Sequence, residues 1–252
     1  MTGVRSARGQ AGADRLRNTC AVEHLAVQLA AIPGVVAVTL GGPRATNTAV
    51  EDSDWDFGLY YRGRLDPADI VALGWPGRVF APGGWGRIVN GGAWLTVDGT
   101  KVDLIYRDLD EVLRWTAAAG DGQFEIQREV GYVAGIATYV LAGELALGRV
   151  LAGDLPRPGF PPKLRQTAPA AWFRLATGAL HFADVYAGRQ DRVACLANLC
   201  QAVLAAAQGD RQGVMVLPGV VMVANEAVVS VGRGVLRARH QDRCVLIMMR
   251  RR

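Results

Sequence analysis

Residues 54–61, Asp-Trp-Asp-Phe-Gly-Leu-Tyr-Tyr, constrain the fold more than any other stretch of this chain. In a β-strand, residues two apart share a face. Asp54 and Asp56 therefore project together, while Trp55 and Phe57 face the other way into a core. Residues 101–106, Lys-Val-Asp-Leu-Ile-Tyr, repeat the pattern: Asp103 is flanked by Val102 and Leu104, which face the opposite side of their strand. Two neighbouring carboxylates on one face repel each other. A divalent cation between them offsets that cost, and hard oxygen ligands favour magnesium.

The sequence just before the first pair adds a second constraint. Val35–Leu40 reads as a short buried strand, followed by Gly41-Gly42 and then Pro43. A glycine turn between a strand and a helix start exposes backbone N–H groups with no side chain in the way, which suits an anion such as phosphate. Upstream, residues 20–32 carry apolar residues at helical spacing, ended by Pro33-Gly34. Asp66 and Pro67 read as N-cap and first residue of a short helix over 66–73. Residues 86–106 read as three strands, 86–90, 93–97 and 101–106, with Asp98-Gly99 as a hairpin turn. Residues 108–120 read as a helix ended by Gly120.

From about residue 122 the period becomes helical, with helices expected over 124–150, 167–187 and 191–208 and a proline-rich linker at 154–162. The expected fold class is α+β: a small mixed β-sheet domain with flanking helices over 19–121, followed by an all-α helical bundle over 122–209. Residues 1–18 read as a disordered basic tail, and 210–252 show poor periodicity and are assigned no structure.

The positive charge sits at the two ends. Residues 1–17 carry four arginines against Asp14, and 233–252 carry seven against Asp242; with a formal total of +5, the body between them is net −4. The high pI thus describes the ends and not a nucleic-acid-binding face, so nucleic acid is not an expected partner. No apolar run is long enough to span a bilayer, and no apolar segment follows the N-terminal arginines as in a signal peptide. Cys20, Cys195, Cys200 and Cys244 form no CxxC pair and the three histidines are scattered, which argues against zinc and suits a reducing cytoplasm.

An apolar-Gly-Gly turn, about a dozen residues, Asp-x-Asp, and a third Asp on a later strand together resemble the DNA polymerase beta-type nucleotidyltransferase superfamily. The likeness is closest to the small bacterial branch that includes aminoglycoside-type and minimal nucleotidyltransferases, and it covers about residues 20–209. The resemblance implies that Gly41 and Gly42 hold a nucleoside triphosphate, with Arg44 near its phosphates. It also implies that Asp54 and Asp56 bind two magnesium ions and that Asp103 completes the catalytic one. Related enzymes of the antibiotic-modifying branch take a glutamate from the helical domain as general base. Here that position falls to Glu144, a lone carboxylate on an apolar stretch, for which a salt-bridged structural role is the competing reading. An acceptor hydroxyl would attack the α-phosphorus and release pyrophosphate. The acceptor implied is a small molecule such as an aminoglycoside or lincosamide. The alternatives are a partner protein's side chain, as in antitoxin relatives, or nucleotide binding without transfer.

Two positions depart from the pattern. Pro43 stands where relatives carry a hydroxyl that contacts phosphate, and Asn47 stands where they often have glycine. Proline removes both the hydroxyl and a backbone N–H. Losing one hydrogen bond to a charged group, about 1.5–3 kcal/mol, weakens triphosphate binding about tenfold or more. Trp115, Trp172 and Phe173 read as core residues.

Overall fold

In the computed structural model, residues 22–45 and 53–209 are described in full, and short backbone strands are described between 214 and 249. The N-terminal basic segment, Asn47, and the side chains of 210–252 lie outside the described residues. The chain is a mixed α+β protein that divides into two compact units, one formed by 1–117 with 138–160, the other by 118–137 with 161–252.

In the first unit the order begins with helix α1 (22–30), strand β1 (Val35–Leu40), the single turn α2 (Gly42–Ala45) and strand β2 (Trp55–Tyr61). It continues with α3 (Pro67–Val71), β3 (Gly77–Val79), β4 (Gly92–Val97), β5 (Thr100–Asp108) and α4 (Leu109–Gly120). After two short strands in the second unit, β6 (Ile126–Gln127) and β7 (Ile136–Ala137), the chain returns with α5 (Val140–Leu147) and β8 (Arg149–Gly153). The six strands form one mixed sheet in the order β3-β4-β5-β2-β1-β8. Only β2 and β5 run parallel; the other neighbours are antiparallel.

One face of this sheet is the core. Val38, Phe57, Leu59, Ala93, Leu95, Val102 and Leu104 are all buried there. They pack against the apolar stripe of α1, Val22, Leu25, Ala26 and Leu29, spaced as one helical face. Ile70 of α3 joins them, and α3 starts as its sequence indicates: the Asp66 carboxylate accepts from the Ala68 N–H at 3.0 Å, with Pro67 in the first turn. Asp98 and Gly99 both take positive φ, 49° and 78°, in the tight β4–β5 turn.

The second unit contains the long helix α6 (Leu164–Gly188) and α7 (Arg192–Gly209). The buried stripe of α6, Leu164, Ala168, Trp172, Ala176, Ala179 and Ala183, follows three- and four-residue spacing. Small residues let α6 and α7 approach closely: a Cβ on Gly209 would sit 2.6 Å from the Phe173 ring. Five further strands, β9 (Val214–Leu217), β10 (Val220–Val223), β11 (Val228–Ser230), β12 (Gly234–His240) and β13 (Arg243–Met249), pair into a two-stranded and a three-stranded sheet.

Two expected elements, the helix over 124–150 and the strand over 86–90, are corrected. Residues 124–150 do not form a continuous helix. Gly131 and Gly135 both take φ 89°, the short β6–β7 ladder replaces the first half, and α5 is only eight residues long. The second half belongs to the first unit because β8 pairs with β1, so the boundary expected at 121/122 does not coincide with the compact units. Residues 86–90 are likewise not a strand; β3 at 77–79 takes the place beside β4, and 80–91 form a glycine-rich loop. No helix among the described residues is long and apolar enough to cross a membrane.

Candidate functional site

The acidic residues gather on the sheet face opposite the core. Asp56 on β2 and Asp103 on β5 are direct partners in the parallel register. Their flanking residues, Phe57, Val102 and Leu104, are fully buried on the other face, so the two carboxylates stand side by side on the open one. Asp54 lies immediately before β2 and its charge acts on both. Burial, then the charges of Asp103 and Asp54, push the Asp56 carboxyl above its ordinary range, with Arg44 working the other way. Asp103 is pushed up by burial and by Asp54, against the pull of Lys101. The three carboxylates thus repel one another, as their spacing in sequence leads one to expect.

The glycine turn lies beside this cluster. Gly41 donates its N–H to the Asp56 carbonyl at 2.7 Å, extending the β1–β2 pairing by one residue. That amide is therefore engaged within the sheet. Gly42 takes φ 59°, and a Cβ there would overlap the Asp56 carboxylate. Glycine at 42 is thus required twice, by backbone conformation and by the space the carboxylate occupies. Pro43 follows within α2 and is accommodated near its start.

Arg44 acts as a staple. Its Nε donates to the carbonyls of Ser53 and Asp54 at 3.0 and 3.2 Å, and a second nitrogen donates to Ser53 at 2.5 Å. The guanidinium also lies 4.1 Å from the centre of the Trp55 ring. It fixes the approach of the chain to Asp54 and Asp56 from both sides of residues 46–52, which lie outside the described region.

Glu144 sits in a different arrangement. Both its oxygens accept from Arg107, Oε2 from Nε at 2.6 Å and Oε1 from Nη2 at 2.8 Å. Arg107 is buried, and its remaining nitrogen donates to the carbonyls of Val89 and Tyr106 at 3.0 and 3.1 Å. Glu144 is therefore held as the counter-ion of a buried arginine, which is the structural role weighed from the sequence. On the same sheet face as Asp56, four residues along β2, Tyr60 is held neutral; burial and the Glu144 charge push its hydroxyl up to about 12. The face opposite the core thus has a half-buried acidic end, Asp54, Asp56 and Asp103, and a second polar end in which Tyr60, Thr39 and Arg107 are buried beside Glu144. Gly58 separates them, since a Cβ there would press on Thr39 Oγ1 at 2.6 Å. A partly open cavity of about 230 Å³ borders Arg107, Tyr106, Asp108 and Leu141 and is not lined by Asp54, Asp56 or Asp103, which are half-buried.

Sequence reasoning did not single out Trp94. It is the register partner of Asp103 across β4–β5, and Arg78 is its own partner across β3–β4. Arg78, Trp94, Asp103 and Asp56 consequently form one row across four strands. The alternation of Ala93-Trp94-Leu95 contains the signal, because Ala93 and Leu95 are buried and Trp94 is 48% exposed. Trp115 and Trp172, by contrast, are buried as expected.

Asp54, Asp56 and Asp103 carry the hard carboxylate oxygens that a divalent cation takes, and burial and neighbouring charge push the Asp56 and Asp103 carboxyls up. Among the described residues, no three His, Cys, Asp or Glu side chains are gathered closely enough to hold a metal ion. No protein-family model matches the chain, and no curated protein is significantly similar to it.

Proposed function

We propose that this chain is a magnesium-dependent nucleotidyltransferase that moves a nucleoside monophosphate from a triphosphate onto an acceptor hydroxyl. The observation that carries this reading is the register pairing of Asp56 with Asp103 beside the Gly41-Gly42 turn. Two distant sequence segments bring carboxylates together on the open face of a sheet at the mouth of a glycine turn, the arrangement that the resemblance to polymerase beta-type nucleotidyltransferases implies.

Asp54, Asp56 and Asp103 would hold magnesium, which supplies positive charge against the negative charge that builds up on phosphate during transfer. Gly42 leaves the space in which the Asp56 carboxylate sits next to the incoming phosphates. Arg44 orients the Asp54 end of the cluster through the backbone. In the transfer, a bond forms between the acceptor oxygen and the α-phosphorus, and the bond to the bridging oxygen breaks. Pyrophosphate leaves, and the hydroxyl proton passes to solvent. Glu144 is assigned to holding Arg107 and not to taking that proton.

The test is pyrophosphate release from magnesium and each of the four common NTPs, against a panel of aminoglycosides and lincosamides, with Asp54→Ala/Asp56→Ala as control. Release that needs one acceptor and vanishes in the control supports the reading. No release with any acceptor leaves it without support as a small-molecule transferase. A second reading, nucleotide binding without transfer, is favoured by Pro43, which lies in α2 and offers neither hydroxyl nor N–H. Under the transferase reading, Pro43→Ser raises nucleotide affinity about tenfold by restoring a hydrogen bond to a charged group. Unchanged or lower affinity in a titration counts against that role for Pro43.

A further inference from the structure

On the β3 side of Asp103, the open face of the sheet carries a wall of aromatic rings that neither the core nor the carboxylate cluster accounts for. Trp85 stacks on Trp94 with centroids 5.2 Å apart and planes 25° from parallel. Phe80 closes the group, 4.9 Å from Trp94 and 5.0 Å from Trp85. Gly92, two residues before Trp94 on the same face, leaves room for this packing, since a Cβ there would come within 2.7 Å of the Trp85 ring. With one ring already stacked on it, Trp94 keeps 48% of its surface open, next to Asp103.

We propose that the exposed face of Trp94 is the acceptor subsite of the transfer reaction, and that it takes a small molecule whose hydroxyl is carried on a saturated, hydroxylated ring. The claim rests on the transferase reading above.

Position is the first argument. Along the row of the sheet the order is Trp94, Asp103, Asp56, and then the Gly41-Gly42 turn, whose Gly41 amide bonds Asp56. Phosphoryl transfer places the attacking and leaving oxygens roughly in line on opposite sides of phosphorus. With the triphosphate at the glycine turn, its pyrophosphate lies on the β1 side of the carboxylates and the acceptor must come from the β4 side. Trp94 is the side chain there, two strand spacings from Asp56, about 10 Å, which leaves room for one ring between indole and phosphorus.

Charge is the second argument. The face of an indole is the negative side of its quadrupole, and the adjacent side chain in the row, Asp103, is also acidic. A saturated ring meets this surface with positively polarised C–H groups and presents its hydroxyls at the rim. Arg78, the other neighbour of Trp94, turns toward Phe80, 5.1 Å from that ring's centre, and so braces the wall.

The experiment uses the full chain labelled with 5-fluorotryptophan, with the Trp94 resonance assigned by its loss in Trp94→Phe. Each aminoglycoside and lincosamide of the panel is titrated in, alongside N-acetyltyrosine amide and magnesium-ATP. The same titrations are made on Asp54→Ala/Asp56→Ala. We expect the Trp94 signal to shift and saturate with at least one ring compound, in the parent and in the double variant alike. We also expect Trp94→Ala to weaken that binding about three- to tenfold, the worth of one stacking contact, and Trp94→Phe to restore most of it. A Trp94 signal that no ring compound moves overturns the proposal, as does one moved only by magnesium-ATP or only by the tyrosine amide. Because the double variant cannot support transfer, a stacking signal without pyrophosphate release separates failure of the transferase reading from failure of the subsite.

Discussion

Gly42 does more for the candidate site than any other single residue, because its missing side chain is where the Asp56 carboxylate lies. An alanine there must hold φ near 59° and also displace Asp56. The left-handed conformation alone costs an L-residue about 1–2 kcal/mol. Gly42→Ala is therefore expected to lose about that much stability in urea unfolding and to lose magnesium-dependent nucleotide binding outright. Two of the four carboxylates singled out from the sequence, Asp56 and Glu144, should separate cleanly by a pair of isosteric changes. Asp56→Asn removes one charge from a repelling cluster, so the protein should melt at the same temperature or higher while transfer is abolished. Glu144→Gln leaves the buried Arg107 without its counter-ion. A full burial would cost 3–5 kcal/mol, and since Glu144 is about one-third exposed the expected loss is about 2 kcal/mol, with nucleotide affinity unchanged. Loss of nucleotide binding in Glu144→Gln at unchanged stability would restore Glu144 to the site.

At the scale of elements, the return of the chain through α5 and β8 is held to the sheet by one polar layer. Arg107 of β5 grips Glu144 of α5, and Tyr60 of β2 bonds Thr39 of β1 beneath them. Burial and the Glu144 charge raise the Tyr60 hydroxyl to about 12, against an ordinary value of 10. The folded state therefore favours the neutral phenol. That contribution is complete below pH 10 and is lost as pH rises through 12. At pH 8, Tyr60→Phe should be less stable by about 1 kcal/mol, the worth of its hydrogen bond. By pH 11 the difference should narrow or reverse, as followed by thermal unfolding at the two values. A gap that stays constant would mean the Tyr60 hydroxyl does not titrate differently on folding.

The same elements show where sequence reading works and where it stops. β1, β2, α3, α4 and the β4–β5 hairpin were legible because each is written in local signals: alternation, Asp66-Pro67, Asp98-Gly99. The stretch 124–150 was not, because its apolar composition suits a helix while Gly131 and Gly135 break it and β8 pairs with a strand more than a hundred residues earlier. For the candidate site, the carboxylates and glycines were legible as spacing. The row that joins Arg78 to Trp94, Asp103 and Asp56 was not, since it exists only once four strands are in register.

At the scale of the whole molecule, the chain is net acidic between two arginine-rich ends, and its half-buried acidic cluster lies in the first unit. A cation that settles among repelling carboxylates binds the folded chain and not the unfolded one, so it raises stability by an amount that grows with the logarithm of its concentration above Kd. Magnesium at millimolar concentration should raise the melting temperature of the parent and leave that of Asp54→Ala/Asp56→Ala unmoved, with EDTA reversing the gain. The most direct test of the assignment is a calorimetric titration of the full chain with ATP, GTP, CTP and UTP, with and without magnesium, repeated on Asp54→Ala/Asp56→Ala. We expect at least one nucleotide to bind only when magnesium is present, and that heat to disappear in the double variant. Equal heats in parent and variant, or nucleotide binding indifferent to magnesium, would contradict a metal–nucleotide site on the Asp54, Asp56 and Asp103 face.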